Sequence, residues 1–316
     1  MTVREAARGI VKRVPVLRDV VFFILMKFRR LKWLLYLWNK ISGYGWIDID
    51  LFILTLPNGG PPYFGPALKS LQGSARRHFY MQKTLEVACG PQSENRFIKI
   101  LEIGSWAGAS AITFGKYLKS HNNGRGVIVC VDFWEPYLRD IDTMKLSGPF
   151  REMTLATKNN RILDLFLYNI RAAGLSNIVI PIKGLSKNAI PLLGEKFDYA
   201  FIDGSHIYKD VIQDIRMVIP LIKEGGVFSG DDLEQQLNEC DPAFLTEDIE
   251  EECVIDPKTG VAFHPGVTRA VAEVFGEVSS WEGHWAMKKT ANGWEKINLS
   301  FSEEEVVIPD HLKQRG

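Results

Sequence analysis

Cysteine is scarce in this 316-residue chain, and its four copies (Cys89, Cys130, Cys240, Cys253) follow no CxxC or zinc-finger spacing. That excludes a disulfide scaffold and fits a reducing compartment. Net charge is also lacking: 38 Lys and Arg balance 38 Asp and Glu. A generally basic nucleic-acid binder is thereby disfavoured. There is no internal repeat, no low-complexity tract and no three-glycine GxGxxG turn. What is present is a composition 46% hydrophobic and 24% charged. That composition excludes a disordered chain and supplies core for one large domain or two modest ones.

The zero net charge is a cancellation between regions. Residues 1–40 hold ten Lys or Arg against Glu5 and Asp19, a local charge of +8 that the rest of the chain offsets. Within this leader, Val20–Met26 and Leu31–Trp38 are apolar, but Lys27, Arg29, Arg30 and Lys32 lie between them. A spanning helix needs about 20 nearly uncharged residues, and each charge at its centre costs roughly 2.5–3.5 kcal/mol. A single span is therefore not expected, and no small-residue cleavage site marks a secretory signal. Residues 1–45 read as a basic amphipathic helical segment suited to lying on an anionic membrane. The alternative is a helix packed on the main domain or on a second copy of the chain, as in a homo-oligomer. A cytoplasmic protein, peripheral on the inner membrane face, is the expectation.

Residues 46–96 read as a connecting loop, rich in Gly and Pro, and a helix over Ser74–Ala88 that caps the site. From residue 97 to 300 the pattern is regular. Short apolar strands at Phe97–Ile103, Gly126–Phe133, Asn177–Ile182, Lys196–Asp203 and Gly225–Gly230 alternate with helices at Ala109–Lys119, Thr154–Ala173 and Tyr208–Leu221. Near-continuous apolar strands of this kind predict a parallel sheet covered on both faces, an α/β Rossmann-like fold. Glu277–Lys288 and Gly293–Leu299 predict a closing antiparallel pair around Ala291-Asn292-Gly293, giving seven strands. Residues 301–316 form a C-terminal tail.

Ligands of such sheets bind at the carboxyl ends of the strands. After the first strand comes Glu102-Ile103-Gly104-Ser105-Trp106-Ala107-Gly108, a turn whose glycines permit close backbone approach to a ligand. Asp132 ends the second strand, where a carboxylate can bridge a ribose diol. A nicotinamide dehydrogenase would place three glycines at GxGxxG and its acid about 20 residues further on. Trp106 breaks that spacing, and Glu102 has no purpose there. A class I S-adenosylmethionine methyltransferase explains Glu102 better, through the ammonium of the methionine end.

The segments LEIGSWAGAS (101–110), FIDGSHIYKDVIQDI (201–215) and EGGVFSGDDL (224–233) resemble the metal-dependent sugar O-methyltransferases of the macrocin and mycinamicin type. The resemblance covers roughly residues 97–300. It implies S-adenosylmethionine as methyl donor, a divalent cation such as Mg2+, and a hydroxyl acceptor on a small glycoside or glycan. By that likeness Glu102, Gly104, Gly108 and Asp132 would hold the cofactor, with Ser186 near the adenine. The basic leader departs from what that family implies, which leaves the acceptor open; a lipid-linked or cell-envelope glycan suits a membrane-seated enzyme.

Asp203 ends the fourth strand and Asp231-Asp232 the fifth. Neighbouring strands lie about 4.8 Å apart, so these carboxylates can converge on one hard cation. Of the adjacent pair, Asp231 is the weaker ligand, since it can face away. His206, three residues after Asp203, has the side chain to take a proton near neutral pH, and a His at this motif position serves as base in the resembling enzymes. His264 is the second candidate. Leu233–Asp256 contains nine Asp or Glu and no Lys or Arg, a stretch that reads as a lid or as a solvated loop. Tyr63, Phe64, Trp281 and Trp285 are candidates for the walls of an acceptor site, with core packing as the alternative.

Overall fold

A computed structural model of the chain describes residues 60–64, 74–90, 96–135, 157, 160–241 and 251–313. The basic leader and most of the linker lie outside these residues, as does 242–250 of the acidic stretch. The described helices are α1 (Arg77–Cys89), α2 (Ala109–His121), α3 (Arg161–Ala172), the single turn α4 (Ser186–Ala189), α5 (Tyr208–Val218) and α6 (Pro265–Phe275). The strands are β1 (Ile98–Ile103), β2 (Gly126–Asp132), β3 (Val179–Lys183), β4 (Phe197–Ile202), β5 (Ile222–Leu233), β6 (Val254–Ile255), β7 (Ala262–Phe263), β8 (Ser279–Trp281), β9 (Gly283–Thr290) and β10 (Gly293–Lys296).

The main sheet runs β10-β9-β5-β4-β1-β2-β3, with β8 added against β9 and the β6–β7 pair standing apart. From β3 to β5 every pairing is parallel, and the pairings of β9 with β5, β8 and β10 are antiparallel. The sheet therefore has eight strands where the sequence predicts seven. The expected strand Glu277–Lys288 is cut because Glu282 and Gly283 both take positive φ (52° and 96°), so that β8 folds back along β9. The sequence reading assigned no element to the β6–β7 hairpin or to α6.

Both faces are covered, as the apolar strands require. On one face α1, α2 and α3 bury Leu85, Ile112, Phe114 and Phe166 against Ile100 and Tyr199. On the other, α5 and α6 bury Ile212, Ile215, Val267 and Val271 against Leu101 and Phe228. α3 shows how sequence sets this: its buried Ile162, Leu165, Phe166, Asn169 and Ile170 recur at helical spacing. Asn169 is the polar member of that stripe. Its carboxamide accepts the Tyr63 N–H (2.7 Å) and donates to the Tyr63 and Ala107 carbonyls (3.0 and 2.9 Å). Residues 60–64 are thereby tied to the turn that follows β1.

A second buried polar group sits under α1. Thr84 donates to the Tyr80 carbonyl (2.9 Å), leaving its oxygen to receive Tyr199 Oη and His284 Nε2, both at 3.0 Å. His284 is thus held with its proton on Nε2. Its Nδ1 is buried without a partner, so a second proton there would be an unsatisfied charge. Burial accordingly pushes His284 from 6.5 down to about 3, and burial does the same to His311, which packs its ring near His78. Groups depressed in the folded state stabilise it fully above their unfolded value and less as pH falls towards 3. Between pH 6.5 and 5 the urea midpoint of the wild type is expected to fall relative to that of His284→Gln, since the buried histidine costs about 1.4 kcal/mol per pH unit below 6.5. The comparison cancels the raised carboxylates that oppose this trend. A midpoint difference between the two proteins that stays constant from pH 6.5 to 5 would reject the buried neutral histidine.

Candidate active site

Chain order reverses between β1 and β4: β1 leads outward through β2 to β3, and β4 leads the other way to β5. Loops diverge at such a point and leave a crevice at the strand ends. There the structure has a cavity of about 550 Å3, lined by the turn after β1, the end of β2, Gly184–Ser186, Asp203–His206, Asp231–Asp232 and the start of α1. The volume falls within the range of roughly 300–1,000 Å3 typical of small-molecule sites.

Gly104 forms the floor where β1 and β4 meet. It has φ 84°, and a Cβ there would overlap the backbone of Asp203 and Gly204. Asp132 organises the same turn: its Oδ2 accepts the Trp106 N–H (2.8 Å) and its Oδ1 the Trp134 N–H (2.7 Å). Both tryptophans hold φ 44°, a conformation costly for a bulky residue and here fixed by the shared carboxylate. Burial raises Asp132 above its usual range, against the four backbone N–H groups that lower it. The side chain lines the cavity.

Glu102 has a different place from the one the sequence suggests. It is fully buried, receives the Ser105 hydroxyl, and is not among the cavity's lining residues. Its other oxygen has no hydrogen-bond partner, and burial raises its proton affinity. A side chain so placed braces the turn from behind. Gly108 likewise stands behind the lining, as the left-handed N-cap of α2 pressed by Phe166. Ser186 does line the cavity, at the start of α4.

The acidic cluster forms as the strand register dictates. Ile202 pairs with Gly230, which sets Asp203 beside Asp231 one step further on. Simple alternation would turn Asp231 and Asp232 to opposite faces. Asp232, however, takes φ 62°, and the β5–β9 register shifts between Gly230 and Leu233. That bulge turns both carboxylates into the cavity, so oxygens of Asp203, Asp231 and Asp232 lie within 4.8 Å of one another. Burial and mutual repulsion push Asp203 well above the carboxylate range and Asp231 up to about 6. Burial opposes the charge on Asp232 too, but the hydrogen bond and charge of His206 outweigh it and hold Asp232 well below its usual value.

His206 stands between two acids. Its Nε2 is 2.9 Å from Asp232 Oδ2 and its Nδ1 2.8 Å from Glu252 Oε2. Burial alone would lower its proton affinity; the hydrogen bonds to Asp232 and Glu252 prevail and hold it well above 6.5. His264, its ring centroid 4.3 Å away, pairs with Glu234 (3.1 Å) and does not line the cavity. Of the two histidines His206 alone lines the cavity, although a ring nitrogen of His264 also comes within 4.8 Å of His206 and Asp232. The described part of the acidic stretch is not simply solvated, since Glu234 and Glu252 each hold a histidine.

Sequence reasoning missed Glu252 and Arg77. Arg77 enters from α1 and sets its guanidinium against Asp231, Asp232 and Glu234. Nothing in its local sequence signals this, because its partners lie more than 150 residues away. None of Tyr63, Phe64, Trp281 and Trp285 lines the cavity. Phe64 and Trp285 are buried in the core, and Trp281 stacks on Tyr80.

Residues 101–233 match the family model described as a methyltransferase domain. No curated protein matches the chain by sequence. Among solved structures, the O-methyltransferase from Bacillus cereus in complex with SAH is similar at 17% identity, with 72% of this chain and 81% of that one covered and a TM-score of 0.40. TomG from Streptomyces achromogenes, in complex with SAM, gives 16%, 79%, 93% and 0.41 in the same order. The calicheamicin methyltransferase CalS11 gives 12%, 76%, 90% and 0.45.

Proposed function

We propose, for a chain whose residues 101–233 match the family model of a methyltransferase domain, that it transfers a methyl group from S-adenosylmethionine to a hydroxyl with the help of a divalent cation. The observation that carries this reading is the convergence of three carboxylates and His206 on the cavity that also contains the Gly104 turn. The donor set is all oxygen, which suits Mg2+ and not a soft metal. Asp203, Asp231 and Asp232 would hold the cation, since three carboxylates whose oxygens lie within 4.8 Å of one another repel and favour a positive charge among them. When bound, the cation would lower the pKa of an acceptor hydroxyl and offset the carboxylate charge that holds a proton on His206.

The residues then divide the work. Gly104 and Ser105 offer backbone to the donor, Asp132 a carboxylate to its ribose, and Ser186 a polar contact at the far end. Ile103 and Trp106 supply apolar wall, excluding water from the transfer. His206, held by Glu252 at Nδ1 and by Asp232 at Nε2, would take the hydroxyl proton at Nε2 once Asp232 is drawn away to a cation and that nitrogen gives up its own proton. Positioning both reactants in one crevice supplies much of the acceleration.

The acceptor in this reading is a hydroxyl on a sugar of a glycoside or cell-envelope glycan, and the +8 leader would seat the enzyme on an anionic membrane. Turnover with labelled S-adenosylmethionine across a glycan panel tests the acceptor; tight NAD binding without S-adenosylmethionine binding would overturn the whole assignment. Asp203→Asn is expected to abolish stimulation by magnesium while calorimetry still detects the donor. Activity indifferent both to EDTA and to this change would refute the role of the cation. Deleting residues 1–40 is expected to release the protein from phosphatidylserine vesicles with donor binding intact, and unchanged vesicle binding would reject the membrane role.

A further inference from the structure

Arg77 is seated in the acidic cluster from four sides. Its Nη1 lies 2.9 Å from both Asp231 Oδ1 and Asp232 Oδ1, and its Nη2 2.8 Å from Glu234 Oε1. Its Nε donates to the Glu282 carbonyl, and the Gly283 backbone closes against the guanidinium so tightly that a Cβ there would overlap it. The side chain is only 13% exposed. Asp232 is consequently engaged at both oxygens, Oδ1 by Arg77 and Oδ2 by His206.

A guanidinium is permanently charged and has no lone pair, so it can neutralise these carboxylates but cannot share a cation with them. A cation drawing on Asp231 and Asp232 meets a like charge already bound to both. We propose that Arg77 is a built-in rival for the cation position: it holds the acidic cluster together when no metal is bound and weakens metal affinity when one arrives. The inference rests on the reading of Asp203, Asp231 and Asp232 as metal ligands. It adds a residue from α1, outside the matched segment 101–233, that would keep metal binding reversible.

The test is calorimetric titration of the full-length protein with MgCl2, for the wild type, Arg77→Gln and Arg77→Lys, with thermal melts in EDTA and in magnesium. Arg77→Gln is expected to bind Mg2+ about tenfold more tightly, equivalent to about 1.4 kcal/mol, to melt lower in EDTA, and to gain more from magnesium. Arg77→Lys, which keeps the charge but not the fork, is expected to fall between; it is the comparison to use if Arg77→Gln does not fold. Magnesium binding in Arg77→Gln alone would be the strongest support. Wild-type binding with equal or weaker affinity in both variants would overturn the rivalry and leave the metal reading standing. No magnesium response in any of the three proteins would overturn both.

Discussion

His206→Ala is expected to slow methyl transfer by about 10²–10⁴-fold, the usual contribution of a positioned acid–base group, while donor binding stays near wild type. The reasoning is geometric. His206 lines the cavity beside Asp203 and Asp232, whereas His264 turns to Glu234 and does not line it. A hydroxyl is a poor acid, and of the two described imidazoles that line the cavity His206 stands against Asp232 while His78 is bonded to Thr113. His264→Ala is expected to change turnover far less. The measurement is kcat with saturating donor and magnesium, with donor affinity followed by calorimetry. A His206→Ala enzyme that turns over within a few-fold of wild type would remove His206 as base, and a larger loss in His264→Ala would transfer the role.

Much of this site was legible in the sequence because its residues directly follow apolar strands. An apolar run must end where the sheet ends, and a parallel sheet binds ligands at that edge, so Gly104, Asp132, Asp203 and Asp231-Asp232 could be placed without coordinates. The burial of Glu102 behind the cavity wall was not legible for a related reason. In a sheet covered on both faces, alternation does not distinguish a side chain facing the crevice from one sealed behind it. The orientation of Asp231 turned on one backbone angle, φ 62° at Asp232, for which the dipeptide Asp-Asp carries no signal. Arg77 and Glu252 were illegible because their roles come from long-range packing, α1 across the end of β5 and the segment after 250 across His206. The split of β8 from β9 was hidden similarly, since positive φ at Glu282 interrupts a run that reads as continuous strand.

Gly104→Ala is expected to remove donor binding and metal binding together. Two independent costs act at this position. The first is conformational: φ 84° lies in the left-handed region, where a residue with a Cβ costs roughly 1–2 kcal/mol. The second is steric and larger. The added methyl would overlap the carbonyl of Asp203 and the nitrogen of Gly204, and these are backbone atoms at the end of β4 that cannot swing aside as a side chain would. Relief requires the turn after β1 and the Asp203 segment to separate. The first of these would cradle the donor and the second carries a proposed metal ligand, so one methyl group strikes both. Gly184→Ala is the control, because a Cβ there meets nothing within 4 Å although the residue lines the same cavity. Calorimetry with S-adenosylmethionine and with MgCl2 on the two variants should therefore diverge sharply, Gly184→Ala staying near wild type. If Gly104→Ala bound either ligand as the wild type does, the proposed donor and cation sites could not share the backbone contact between β1 and β4.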